Sequence, residues 1–166
     1  MSPWWQEIGA TLQEEFSDLP SVSQVVRVVL RLVLAAVLGG ALGFEREQKG
    51  KSAGIRTHML VAIGSALFVF IPEQVGVKVA DMSRVLQGVI AGVGFLGAGT
   101  IIKGKEEENV KGLTTAAGIW LTAAIGVAAG MGREATAVLS TVLALIILAL
   151  VPKFEGLVGL RKPKSG

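Results

Sequence analysis

The chain has 166 residues; 51% belong to the apolar set AVILMFWYC, a further 22 are Gly, and only 17% are charged. That composition excludes a disordered chain, and a water-soluble core of this size could not bury so much apolar surface. With no Cys, disulfides, thiolate metal sites and thiol chemistry are excluded, and the net charge of +3 is spread between apolar runs, which points to membrane topology rather than to nucleic acid.

Residues 1–20 carry Glu7, Glu14, Glu15 and Asp18 and no Lys or Arg, so they do not read as a secretory signal. Trp4 or Trp5 with Ile8, Leu12 and Phe16 falls on one helical face. The spacing predicts a short amphipathic helix lying in the membrane interface, weighed against a frayed polar leader. Five apolar segments follow in residues 21–152. They run from Val25 to Phe44, Thr57 to Ile71 (stopping at Pro72), Val85 to Ile102, Leu113 to Met131, and Ala135 to Val151 before Pro152. Each approaches the length that crosses a hydrocarbon layer. The fold expected is an all-α integral membrane protein with five transmembrane helices, followed by a basic cytoplasmic tail over residues 153–166.

Lys and Arg counts orient the spans. The loops after the first and third segments and the tail hold Arg46, Lys49, Lys51, Arg56, Lys103, Lys105, Lys111, Lys153, Arg161, Lys162 and Lys164. The opposite side holds only Lys78, Arg84 and Arg133. The bias predicts an N-terminus outside and a C-terminus in the cytoplasm. A weak repeat is also visible. Gly54-Ile55-Arg56-Thr57 leading to Ala62-Ile63-Gly64 parallels Gly112-Leu113-Thr114-Thr115 leading to Ala124-Ile125-Gly126. It would make two helical hairpins with the fifth span left over; chance similarity between glycine-rich hairpins is the competing reading.

The densest polar cluster is Glu45-Arg46-Glu47-Gln48-Lys49, followed by Lys51 and Arg56-Thr57-His58. Thr57 is expected to cap the second span, with Arg56 beside that helix N-terminus as an anion site or as a partner for Glu45. Glu45, Arg46 and Arg56 are candidates for binding or gating, or for a structural ion pair; Lys49 and Lys51 read as solvated. The third span contains Gly88, Gly92, Gly94, Gly97 and Gly99. Each interior Gly costs about 1 kcal/mol against Ala, so the stripe needs a reason. Close packing is one, and a broken helix lining an ion path is the other. Arg31 lies deeper in the first span than Arg27 and is an intramembrane candidate, while Asp81, Arg84 and Gln87 share a face. Asn109 reads as a turn residue, Glu106-Glu107-Glu108 as a solvated run, and His58 as structural. No carboxylate sits mid-span, and no nucleophile–base set argues for an enzyme.

Three blocks, GFEREQKGKSAGIRTHMLVAIGSALF, SRVLQGVIAGVGFLGAGTIIK and NVKGLTTAAGIWLTAAIGVAAG, resemble the MgtC/SapB family of bacterial inner-membrane proteins. The likeness extends over Val25 to Val151. It implies about five spans and a role in magnesium homeostasis; the function expected is that of an ion (Mg2+) transport component, with a non-transporting regulator that binds another membrane ATPase or transporter as the alternative. It places Glu45, Arg46, Arg56, Thr57, Gly94, Phe95, Gly97, Gly99, Asn109, Gly112 and Thr115 at the family's motif positions. Many members add a soluble C-terminal domain, and this chain is expected to be a short form without it. The expected partners are the lipid bilayer, further copies in a homo-oligomer and a membrane ATPase or transporter. No cofactor is expected beyond Mg2+ as substrate, the metal-ligating residues are open, and no nucleic acid is implied.

Overall fold

The computed structural model describes residues 3–18, 21–103 and 110–157. Six helices are seen among the described residues: α1 (Trp4–Glu15), α2 (Val22–Gln48), α3 (Ile55–Gln74), α4 (Val79–Ala98), α5 (Leu113–Gly130) and α6 (Glu134–Leu157). Between α4 and α5 lies a two-residue antiparallel pairing of β1 (Ile102–Lys103) with β2 (Val110–Lys111), in register Ile102↔Lys111. The sequence reading missed these strands because two residues are too few to show an alternating pattern.

The chain divides into two compact units, Met1–Leu30 and Arg31–Gly166. In the first, α1 buries no residue, and Trp4 meets Trp5 edge to face with ring centroids 5.6 Å apart. α2 starts within this unit. The Ser21 hydroxyl accepts from the Gln24 N–H at 3.3 Å, which satisfies one donor of the first turn.

The second unit is organised around α5, which packs against α3, α4 and α6. Its core is built from small residues: Ala35, Ala62, Ala66, Ala129, Ala137 and Ala144 surround Leu38, Leu42 and Ile125. A second cluster joins Ala53, Val89, Val93, Ile119 and Ala123. The large apolar side chains Val33, Val37, Leu60, Phe68, Leu139 and Leu143 instead face outward. That inversion fits a hydrocarbon solvent, where bulk tolerates lipid and small residues let backbones approach. The helices α2 to α6 are each long and apolar enough to cross a membrane.

Several element bounds differ from the sequence reading: α2 extends beyond Val25–Phe44 at both ends, and the third span ends at Ala98, with Ile102 in β1. Pro72 does not stop α3, which continues to Gln74; a proline so near a helix end removes one hydrogen bond and disturbs little beyond it. The chain then turns through Gly76, whose φ of +79° suits glycine. Pro152 likewise lies inside α6. It cannot donate to the Leu148 carbonyl four residues back, and Lys49 Nζ donates to that carbonyl instead at 3.3 Å. The third span begins six residues earlier than its apolar run, because Asp81 and Arg84 belong to the first turns of α4. An acidic residue in a first turn is favoured by the helix dipole.

Candidate functional site

Two arginines of α2 are buried, one toward each end of the bundle. Arg31 is 9% exposed. Its Nη1 donates to Glu73 Oε2 at 2.7 Å and to the Gly130 carbonyl at 2.8 Å. The guanidinium carbon also lies 5.4 Å from the Phe70 ring centroid. Glu73 and Gly130 stand at the C-terminal ends of α3 and α5, where unpaired carbonyls concentrate negative partial charge. Arg31 therefore ties three helices together. Sequence reasoning missed Glu73, since nothing in the pattern links positions 42 residues apart.

Arg46, only 4% exposed, lies near the other end of α2. Its Nη1 is 3.5 Å from Glu45 Oε2, whose other oxygen faces Lys49 Nζ at 3.2 Å. The Arg46 Nε and Nη2 are buried without a hydrogen-bond partner among the described residues. Nearby on α3, His58 is 1% exposed, with Nδ1 2.9 Å from the Gly54 carbonyl. A carbonyl only accepts, so Nδ1 carries the proton, and Nε2 of the neutral ring is an acceptor. That Nε2 is buried and also lacks a partner among the described residues. Arg46 and His58 line one cavity of about 180 Å³ with Leu42 of α2, Gly118 and Leu121 of α5, and Leu148 of α6. Four helices converge on it.

The other polar residues of this end are arranged differently from the sequence reading. Thr57 does not cap α3; Gly54 occupies that position, and Glu47 Oε2 accepts from the Ile55 N–H at 2.9 Å. A threonine hydroxyl inside the first turn is too far along the helix to reach those donors, whereas the end of α2 lies against them. Glu45 turns to Arg46 and Lys49 and not to Arg56, which is exposed with no ion pair among the described residues. Thr115 is buried on α5 at 3% exposure. Lys49, read as solvated, bridges α2 to α6. Asn109 and the Glu106–Glu108 run lie outside the described residues.

The helix α4 is unbroken from Val79 to Ala98. A Cβ placed at Gly88, Gly92 or Gly94 would meet nothing within 4 Å. At Gly97 it would meet Ala116 at 3.5 Å, and at Gly99 the nearest atom is the Leu96 carbonyl oxygen at 3.3 Å. Gly88 and Gly92 instead form the floor of an apolar groove of about 490 Å³ flanked by Phe68, Arg84 and Leu96. No group of three or more His, Asp or Glu that could hold a metal is found among the described residues.

The MgtC family profile matches residues 32–157. The chain belongs to the MgtC family. Among curated relatives, the putative magnesium transporter YhiD of Escherichia coli K12 is 43% identical over 119 residues, which is 66% of this chain and 53% of that protein. SrpB of Synechococcus elongatus is 41% identical over 135 residues, 75% of this chain and 74% of SrpB. MgtC of Brucella abortus is 44% identical over 113 residues, 68% of this chain and 46% of that protein. The chain thus spans about half the length of the YhiD and MgtC relatives. No solved structure matches it. The family match covers the Arg46 site and the partners of Arg31, with Arg31 itself one residue before its start, and the five apolar helices make the chain a multi-pass membrane protein.

Proposed function

We propose that this MgtC family protein serves magnesium homeostasis in the bacterial inner membrane as a regulator that binds another membrane complex, and not as a conduit through the interior of one chain. The observation that carries this reading is the placement of Arg31 and Arg46, buried toward opposite ends of the same helix bundle. A divalent cation threading the space between α2, α3, α5 and α6 would meet a guanidinium at each end, in a medium where charge repulsion is weakly screened. Between them the interior is filled by Ala62, Ala66, Ile125 and Ala129. The positive-inside bias of the loops orients this protein with its N-terminus outside. The reading assigns it binding and no catalysis.

A second reading keeps it as an ion transport component, with a path between copies in a homo-oligomer. The open face of Gly88 and Gly92 on α4 favours it, because glycines four residues apart let a second backbone approach closely. Mg2+ flux into proteoliposomes holding only this protein separates the two. The regulator reading expects no flux above empty vesicles, together with recovery of a membrane ATPase or transporter on affinity purification from native membranes. Flux by the purified protein overturns it in favour of the second reading.

A further inference from the structure

We propose that the outward face of α4 docks a second copy of this chain, the two α4 helices running parallel and closing on each other at Gly88 and Gly92, with Asp81 of each copy paired to Arg84 of the other. The helix has two sides. Met82, Val89, Val93 and Gly97 are buried on one of them, where Gly97 lies against Ala116 of α5. Asp81, Arg84, Gly88, Gly92 and Phe95 follow one another at intervals of three or four residues, so they share the other side, and all are exposed. The middle of that side is the groove of about 490 Å³ flanked by Phe68 of α3 and by Leu96. A Cβ at Gly88 or Gly92 would meet nothing within 4 Å among the described residues, so a second backbone can come close there.

The charges choose the occupant. Asp81, Arg84 and Gln87 are exposed and make no ion pair or side-chain hydrogen bond among the described residues. Lipid tails would cover the glycines but would leave these polar groups unpaired, and such groups on a membrane helix normally find protein partners. One charge of each sign, three residues apart, makes the face complementary to itself. Copies of one chain insert in one orientation, so two α4 helices meet parallel about a two-fold axis, and a contact from Arg84 to Asp81 is made twice. Helical side chains lean toward the N-terminus, which brings Arg84 of each copy to the level of Asp81 of the other. Small residues four apart favour a right-handed crossing of about 40°. The axes are then closest at Gly88 and Gly92 and diverge toward Asp81, which leaves room for two arginine side chains. A partner surface of a single sign would match only one of the two charges. The pairing is independent of whether the protein regulates another complex or passes an ion.

The test uses the full chain in membranes. It has no Cys, so a single introduced cysteine reports one position. Disulfides form only where two Cα atoms come within about 7 Å. Oxidation is expected to join Gly88→Cys chains and Gly92→Cys chains into dimers on denaturing gels. Ile90→Cys on the same helix and Leu139→Cys on α6, both at exposed positions, are expected to stay monomeric. The charges are then tested with Gly92→Cys as the reporter. Asp81→Arg and Arg84→Asp each lower the dimer yield when expressed alone, because like charges then face each other. Expressed together under different tags, one copy carries two positive charges and the other two negative ones. The mixed dimer is expected to exceed the like dimers by about two- to fivefold, the range of an exposed ion pair. A folding defect in either variant cannot produce that excess. Dimer yields at Gly88 and Gly92 no higher than at the two control positions overturn the proposal and leave the face to lipid or to an unlike helix. Crosslinking at the glycines without an excess of the mixed dimer overturns it as well, because Asp81 and Arg84 then do not meet across copies.

Discussion

The glycines of α5 and those of α4 do opposite things, although both helices are read from the same small, apolar vocabulary. Gly126 and Gly130 of α5 lie directly against the α3 backbone at Ala62 and Ala66; a Cβ at Gly126 would lie 2.9 Å from Ala62 Cα and clash with its carbonyl oxygen. Gly39 of α2 closes on the same Ala62 from the other side, with a virtual Cβ 2.9 Å from its methyl. A Cβ at Gly88, Gly92 or Gly94 of α4 would meet nothing within 4 Å among the described residues. The spacing of four is therefore a statement about close approach, and it does not say to what. In α5 the partner is α3, while α4 presents its glycines to whatever lies outside.

The sharpest way to break this comparison is Gly126→Val. Overpacking against a backbone that cannot retreat costs about 1–3 kcal/mol or more, and here α3 is itself wedged by Gly39. The expected result is loss of most of the monodisperse, folded protein in fluorescence-detected size-exclusion chromatography. Gly92→Val, the same change on α4, is expected to leave that profile intact. If both variants behave alike, the distinction between the two faces is wrong.

Next in size is Arg31→Ala. It leaves Glu73 and the Gly130 carbonyl without their donor, at about 2–3 kcal/mol for hydrogen bonds to a charged group. A thermal melt in detergent is expected to show a clearly lowered midpoint. Glu73→Gln should lower it less, since the Glu73 side chain is half exposed. The double variant should lose less than the sum of the two, because the partners share one interaction.

Gly88→Ala with Gly92→Ala sharpens the comparison in the opposite direction. Nothing opposes either methyl, so monomer stability should rise by up to about 1 kcal/mol per site. Light scattering of the bulkier Gly92→Leu protein then asks about association. If the open face joins copies, the mass falls to that of a monomer while the melt stays unchanged. The smallest effect is expected for Lys49→Ala, within about 1 kcal/mol, because the lysine is half exposed and water can take its place on the Leu148 carbonyl.

Hydrophobic length made the five spans legible, and residues far apart in sequence were needed to give them partners. The glycines preceding Ile55 and Leu113, matched in the weak repeat, do stand at the N-caps of α3 and α5. Arg46 and Arg31 stood out as charges at membrane depth, yet what they face did not. Glu73 and Gly130 come to Arg31 across 42 and 99 positions. Glu47 took the capping role expected of Thr57, because the end of α2 lies over the start of α3. His58 was read as a lone structural imidazole; no local pattern could show that it lines one cavity with Arg46.

By itself the sequence determined the solvent, the number of crossings and the family, since these follow from composition, run length and motif order, which are properties of the chain read locally. Only the tertiary structure decided which glycines are packed and which are open. It also decided that Pro72 and Pro152 lie within helices, and that two buried guanidiniums differ, one bonded to groups at the ends of α3 and α5 and one paired with its chain neighbour Glu45. Those outcomes depend on which helix faces which. Close packing settles that through the summed contacts of distant segments, and no window along the chain contains both partners.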